Sequence, residues 1–498
     1  MVQAYLNYIG GRWQPARSGA TFESTDPATG EVLGVCARSG IEDVAEAVAA
    51  AKEAYPRWRK VPAPRRAEIL FRAAEILVRR KEELAQLMTR EMGKILLESR
   101  GDVQEAIDMT YFLAGEGRRL HGYTTPSEMP SKAAYCVRQP LGVVGVITPW
   151  NFPIAIPSWK IVPALVCGNT VVFKPAPETP ICAVKFVEVL EEAGLPPGVL
   201  NLVLGGDETG AALVDHPDVA LISFTGSTEV GLRVAEKCAS RGKRVSLEMG
   251  GKNAAIVMDD ADLELVADAL TWSAFGTSGQ RCTACSRVLV HPKVHGDVAD
   301  ILTERARKLR LGHGLDPQTE MGPLVSAAQL ERVEHYVRLG QEEGAVVLVG
   351  GERAVGDGLE RGYFFRPTVF DRVHPHMRIA QEEIFGPVTD LIRVESLEEA
   401  VEVVNGVRYG LSASIFTRDV NKAMRAIEEI HTGIVYVNHG TIGAEVHLPF
   451  GGTKFTGNGH REGGLQVLDV FTEWKAVYID YSGRLQRAQI DLQPVSLG

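Results

Sequence analysis

Cysteine is scarce and irregular in this chain. The seven residues (Cys36, Cys136, Cys167, Cys182, Cys238, Cys282 and Cys285) are odd in number and scattered through 498 positions. That excludes a disulfide framework. Cys282 and Cys285 form a single C-x-x-C with no second pair, so a four-cysteine zinc site is excluded too. Reduced thiols imply a cytoplasmic setting. Positive charge is also in deficit, 53 Lys and Arg against 63 Asp and Glu, a net charge of −10. Such a chain has no general attraction for nucleic acid or an anionic membrane, and any anionic ligand must be held by local groups. The opening MVQAYLNYIGGRWQP lacks a basic stretch followed by an apolar one, so no secretory signal is expected. From Leu141 to Phe173 the only charge is Lys160, but Pro149, Pro153, Pro157 and Pro163 interrupt that stretch. Asn151 and Lys160 would also be costly in lipid, so no membrane partner is expected. Internal repeats and low-complexity segments are absent.

What is present is an ordinary globular composition, 45% hydrophobic and 23% charged, long enough for two or three domains. Residues 60–118 read as helical. Strand and helix patterns then alternate. GVVGVI (142–147), TVVFK (170–174), LNLVL (200–204), LISFT (221–225) and RVSLEM (244–249) are strand-like, with helical patterns over 154–167, 179–194, 207–215 and 228–240. A second series has strands at 254–258, 286–291, 345–349 and 434–438, and helices at 262–276, 295–310, 327–343, 397–405 and 420–430. Nearly continuous apolar strands between amphipathic helices predict α/β architecture with parallel sheets covered on both faces. The pattern predicts two such units in tandem, with the boundary near Gly250–Gly251. Residues 123–140 and the tail from about Ala476 fit neither unit. They read as strands reaching out of the body, paired with each other or with another subunit, or as a surface hairpin and a loose tail.

Four stretches carry chemistry. In FGTSGQRCTAC (275–285), Cys282 follows a helix in a Gly- and Ser-bearing loop. A cysteine is as often a buried small hydrophobe as a nucleophile, but polar neighbours and the adjacent Arg281 favour a reactive thiolate. In SLEMGGKN (246–253), Glu248 ends a strand, where open α/β sheets bind ligands. It is either a general base of raised pKa or a structural ion-pair partner. In PWNFP (149–153), Asn151 offers a rigid amide donor for an oxyanion, or makes an Asx turn. FTGSTEVG (224–231) is a strand, a glycine and a helix start, suited to a pyrophosphate or simply a capped helix. Its spacing is not G-x-G-x-x-G. Lys174 at a strand end, and Glu383 with Phe385 in EEIFGPV (382–388), are weaker signals of a cofactor site.

Together these motifs resemble the aldehyde dehydrogenase superfamily. They arrive in that family's order along nearly the whole chain: PWNFP, VVFKP, FTGST, LEMGGK, GQRC, EEIFGPV and PFGGTKFTGNG (449–459). The resemblance implies two tandem open parallel-sheet α/β domains with a small β oligomerisation arm. The dinucleotide-binding domain would be 1–122 and 141–250, the catalytic domain 251–475, and the arm 123–140 and 476–498. Cys282 would be the nucleophile, Glu248 the base, and Asn151 with the Cys282 N–H the oxyanion hole. NAD, or NADP, would lie against Ile147, Thr148, Trp150, Lys174, Gly206, Gly210, Phe224, Gly226, Ser227, Glu248, Met249, Gly250, Glu383 and Phe385. The partners implied are a small aldehyde and further copies of the chain, as a dimer or tetramer.

Three features resemble the antiquitin-type (α-aminoadipic semialdehyde) branch. These are EMGKILLESRGDVQEAID (91–108) with Glu105, Arg281 before the nucleophile, and TIGAEVHLPFGG (441–452), in which Gly443 and Ala444 could offer N–H groups to a substrate carboxylate. The resemblance implies an amino- or keto-acid semialdehyde as substrate. Val446–Leu448 departs from that branch and leaves α-ketoglutaric or glutamic semialdehyde open. Pro177 stands where many relatives have a glutamate that rejects a 2′-phosphate, with Glu178 next to it, so NADP stays open.

Overall fold

A computed structural model describes residues 2–492. Two runs of β-branched residues, Val143–Ile147 and Thr170–Lys174, are buried at every position and form the centre of the first sheet. The order across that sheet is Arg244–Glu248, Val219–Thr225, Val143–Ile147, Thr170–Lys174, Leu200–Leu202, Asn7–Ile9, Arg12–Gln14. The first five strands are parallel, as the alternation with helices predicts. The last two are an antiparallel hairpin, so the sheet is mixed rather than purely parallel. Its turn is Gly10–Gly11, with φ of 61° and 84°. That pair supplies the left-handed conformations a two-residue hairpin needs. The pattern reading did not anticipate this hairpin or the small sheet of Ala4–Tyr5, Val32–Ala37 and Thr21–Thr25. Their strands are short and carry little alternation.

The second sheet runs Val346–Val349, Thr368–Asp371, Val388–Arg393, Cys285–Val290, Asn253–Val257, Ser412–Phe416, Ile434–Val437. Only its first pair is antiparallel. The two sheets meet at residues 249–252. The loop after Gly452 clips this joint: Met249 N donates to Thr456 O at 2.6 Å and Thr456 Oγ1 to Gly250 O at 2.9 Å.

The helical stretch over 60–118 is two helices, Ala63–Met92 and Leu96–Glu116. They are broken where Lys94 turns inward. Lys94 Nζ lies 3.0 Å from Asp102 Oδ2, with both side chains fully buried, and 3.9 Å from the Phe152 ring centroid. Asp102 Oδ1 also accepts from Ala155 N at 2.8 Å, so the pair anchors the start of the helix Ala155–Cys167.

The chain crosses back before the position where the second unit is expected to end. Val467, Leu468, Val470 and Phe471 pack into the hydrophobic cluster of the first sheet. The two pieces outside both units pair with each other. Tyr123–Pro126, Lys132–Pro140 and Thr472–Asp480 make a three-stranded antiparallel sheet, in register from Thr472↔Pro140 to Asp480↔Lys132. The last strand therefore begins at Thr472, not near Ala476. Residues 493–498 of the expected arm, like Met1, lie outside the described residues. Among the described residues no helix is long and apolar enough to cross a membrane.

Candidate active site

Cys282 sits between the helix Leu263–Phe275 and the strand Cys285–Val290. The approach is strained: Thr277 and Ser278 have φ of 54° and 55°, a conformation that costs a residue with a Cβ about 1–3 kcal/mol. Gly279 follows at φ 68°, and a Cβ there would come within 2.0 Å of Gly386 O, so only glycine fits. The turn is held from outside. Glu98 Oε1, on the helix Leu96–Glu116, accepts from Thr277 N at 2.7 Å, and Ser278 Oγ donates to Gly322 O at 2.8 Å. A loop fixed in this way can present a side chain with the rigidity of a strand end.

The expected effect of Arg281 on the thiol is overturned. Its guanidinium turns away to Glu98 Oε1 (3.3 Å) and Thr277 Oγ1 (2.9 Å), and faces the rings of Phe152 and Trp272. Cys282 is left among carboxylates. Burial first, then the charges of Glu383, Glu248 and Glu105, push its thiol up to about 12. The resting protein therefore holds a protonated thiol. Three of the expected site residues, Glu383, Glu248 and Glu105, thus lie near enough to this sulfur for their charges to act on it.

Glu248 ends its strand, buried, with Oε1 free of any hydrogen-bond partner. Burial raises its pKa well above the usual carboxylate range. Glu462 adds to the shift, while Lys160 and Arg461 oppose it. Lys160 Nζ is bonded to Glu462 Oε1, and to Ser223 Oγ at 3.2 Å. The structural ion pair in this neighbourhood is therefore Lys160–Glu462, which leaves Glu248 unpaired and poised to exchange a proton. Asn151 is 2% exposed. One N–H of its Nδ2 donates to Gln280 O at 3.0 Å, tying the amide to the nucleophile loop. A primary amide has a second N–H to offer.

The residues expected to hold a dinucleotide line the carboxyl ends of the first sheet. Ile147 and Lys174 end adjacent paired strands, and Thr148 N donates to Lys174 O at 3.3 Å. Trp150 meets Phe385 edge to face at 5.4 Å between centroids. A Cβ on Gly210 would lie 3.9 Å from Lys174 Cδ, so the helix that Gly206 caps runs past that lysine. Phe224 and Gly226 precede Ser227, which caps the helix Thr228–Ser240 by accepting from Val230 N. Glu383 Oε1 accepts from Gly251 N at 2.9 Å, next to Met249 and Gly250. Burial lowers the Lys174 pKa, with Glu178 and Asp207 opposing the shift. A buried cation, a helix start and a buried carboxylate along one crevice suit the phosphates and ribose hydroxyls of a dinucleotide.

Several residues of this region escaped the sequence reading. Gln329 donates to Phe385 O at 2.7 Å, and Arg332 donates to Ile384 O and Glu383 O, holding the 383–385 loop. Their three-residue spacing on a helix was visible, but the loop they hold is some fifty residues away. Tyr436 is coupled to the Cys282 charge, and Glu98 clamps the nucleophile turn. Neither had a local signal.

Glu105 faces a different setting from the one expected. Burial, then the charge of Asp102, raise it to about 8, against Arg281 and Lys94. Trp159, which meets Phe450 edge to face at 5.5 Å, lies beside Glu105. Gly443 and Ala444 lie in the loop after Thr441, with Ala444 packed against the first core.

The chain is similar to known dehydrogenases of aldehydes along nearly its whole length. The chain is 44% identical over 477 residues to the alpha-ketoglutaric semialdehyde dehydrogenase of Bacillus subtilis (strain 168), covering 95% of this chain and 98% of that one. It is 43% identical over 478 residues to malonate-semialdehyde dehydrogenase 2 of Geobacillus kaustophilus, covering 95% and 98%. The structure of betaine aldehyde dehydrogenase from Staphylococcus aureus in complex with NAD+ superposes with a TM-score of 0.95 at 35% identity, covering 97% and 95%. The family model described as the aldehyde dehydrogenase family matches residues 13–477, which include the second sheet, the five parallel strands of the first, the nucleophile loop and the carboxylates around it. With that span and these identities, the chain belongs to the aldehyde dehydrogenase family.

Proposed function

We propose that this enzyme oxidises a semialdehyde whose far end carries a carboxylate to the corresponding acid, with NAD as hydride acceptor. The observation that carries the reaction is the convergence on Cys282 of an unpaired buried carboxylate, Glu248, and a half-engaged amide, Asn151. In the first step Cys282 passes its proton to solvent water and its sulfur adds to the aldehyde carbon. The carbonyl oxygen becomes an oxyanion, received by the free Asn151 N–H and the Cys282 N–H, each donor contributing about 3–4 kcal/mol. Trp150, Phe385 and Glu383 would hold a nicotinamide, which would supply the hydride acceptor; loss of hydride from the carbon leaves a thioester. Glu248 then takes a proton from water, whose oxygen attacks the thioester carbon. The C–S bond breaks, the acid leaves and the thiolate returns.

The carboxylate end is supported by Arg281, an aromatic-flanked guanidinium only half matched by Glu98. The two relatives compared above are named for carboxylate-bearing aldehydes. An amino-acid semialdehyde of the antiquitin type takes second place, because those two relatives are named for aldehydes that carry a carboxylate and no amino group. NAD is favoured over NADP by Glu178 and Asp207, whose charges lie close to Lys174 and would meet a 2′-phosphate.

A panel of dicarboxylic, amino-acid and unsubstituted aldehydes of matched length, run with NAD and NADP separately, tests this reading. Arg281→Gln is expected to raise KM for the carboxylate-bearing aldehydes by roughly 10–100-fold, the worth of a charged hydrogen bond, and to spare the unsubstituted ones. Equal changes for both classes would remove Arg281 from recognition.

The arm supports an oligomer. Tyr123, Trp474, Tyr478, Ile479 and Tyr481 are exposed along it, more apolar surface than a free edge sheet ordinarily leaves to water. Light scattering is expected to give two or four times the 54.1 kDa chain mass, and a monomer at micromolar concentration would refute this.

A further inference from the structure

Residues 280–284 carry the nucleophile yet belong to no helix or strand. Each of their five consecutive carbonyls is nonetheless held. Gln280 O accepts from Asn151 Nδ2 at 3.0 Å, and Arg281 O from Ala284 N at 3.1 Å. Cys282 O and Ala284 O both accept from Asn253 Nδ2, at 2.7 and 2.9 Å. Thr283 O accepts from Thr441 Oγ1 at 2.7 Å. The two outside clamps share a foundation in Ser412. Its N–H donates to Asn253 Oδ1 at 3.1 Å, and its hydroxyl donates to Thr441 O at 3.0 Å. Asn253 is 3% exposed and Thr441 fully buried.

We infer that Asn253 and Thr441 are positioning residues that aim the Cys282 N–H at the developing oxyanion. The Cys282 N–H shares a peptide plane with Arg281 O, so fixing one fixes the other. Arg281 O is fixed by Ala284 N, and residues 282–284 are fixed in turn by Asn253 and Thr441. A donor must lie within a few tenths of an ångström of the oxyanion to act, and a loop otherwise free to rock would lose that alignment. Thr441 also opens the loop of Gly443 and Ala444, so the clamp ties the nucleophile to the segment expected at the substrate's far end. The inference rests on the aldehyde-oxidising reading, and its test separates the two.

The test compares Thr441→Val, which keeps the shape and loses the donor, with Thr441→Ser, which keeps the donor. Three rates are read. They are NADH formation from an aldehyde, cofactor-free hydrolysis of p-nitrophenyl acetate, and alkylation of Cys282 by iodoacetamide. Ester hydrolysis passes its acyl group to sulfur with release of p-nitrophenolate, and water then cleaves the thioester, so it needs the oxyanion donor. Alkylation forms no oxyanion. Thr441→Val is expected to lower the first two kcat values together, by roughly 10–100-fold. Alkylation and the KM for NAD should stay within about twofold of wild type, and Thr441→Ser should recover most of the loss. Should valine prevent folding, Thr441→Ala takes its place. Equal losses in alkylation, no recovery by serine, or normal turnover by Thr441→Val would overturn the clamp. A wild-type enzyme that hydrolyses the ester but forms no NADH from any aldehyde would instead refute the oxidation, leaving the ester arm to judge the clamp.

Discussion

Cys282→Ala is expected to stop NADH formation, with a fall in kcat of about 10⁴-fold or more, as for removal of other covalent nucleophiles. Cofactor affinity and melting temperature should change little. No second thiol can substitute. Cys285 is fully buried, with Sγ turned to Arg287 O at 3.5 Å. The pH dependence follows with a definite sign. The reactive form is the thiolate, and burial with three neighbouring carboxylates holds the thiol protonated. In the cofactor-free protein, alkylation of Cys282 should therefore climb with pH across the range 7–10 without levelling off. Turnover by Cys282→Ala within tenfold of wild type, measured by NADH absorbance, would take Cys282 out of the mechanism.

The second large effect is at Glu248. Glu248→Gln keeps the shape of the side chain and removes its ability to take a proton. Steady-state turnover is expected to fall by roughly 10²–10⁴-fold, the usual worth of a general base. The loss should fall after hydride transfer. A rapid burst of about one NADH per active site should remain, followed by a stall in which intact mass shows an acyl group on the protein. This is expected because Glu248 Oε1 stands unpaired near the Lys160–Glu462 pair, and the proposed role of Glu248 is toward water rather than the aldehyde. A variant without a burst would move Glu248 to the first step, as the acceptor of the Cys282 proton. Unchanged turnover would exclude it as a base.

Much of the fold was legible because its central strands are short, mostly apolar runs set between helical patterns. Val143–Ile147 and Thr170–Lys174 lie where the pattern predicts, to within a residue. The N-terminal hairpin was not legible, since Asn7–Ile9 and Arg12–Gln14 are three residues each and owe their place to pairing with Leu200–Leu202. Ser412–Phe416 was passed over for a related reason: SASIF reads as neither alternating nor strongly apolar, yet every residue is buried between two parallel neighbours.

The chemistry divides along the same line. Sequence alone determined the kinds of group present, a thiol in a glycine-bearing loop, a carboxylate at a strand end, an amide between two prolines, because each depends on a short local context. Tertiary structure decided their states. Arg281 adjoins Cys282 in the chain but points at Glu98 from another helix, so adjacency did not make the thiol acidic. Glu105 is an ordinary carboxylate in the sequence, but in the fold burial and Asp102 raise its pKa to about 8. Ionisation and hydrogen bonding depend on everything within a few ångströms, and in this protein those neighbours come from residues up to some three hundred positions apart.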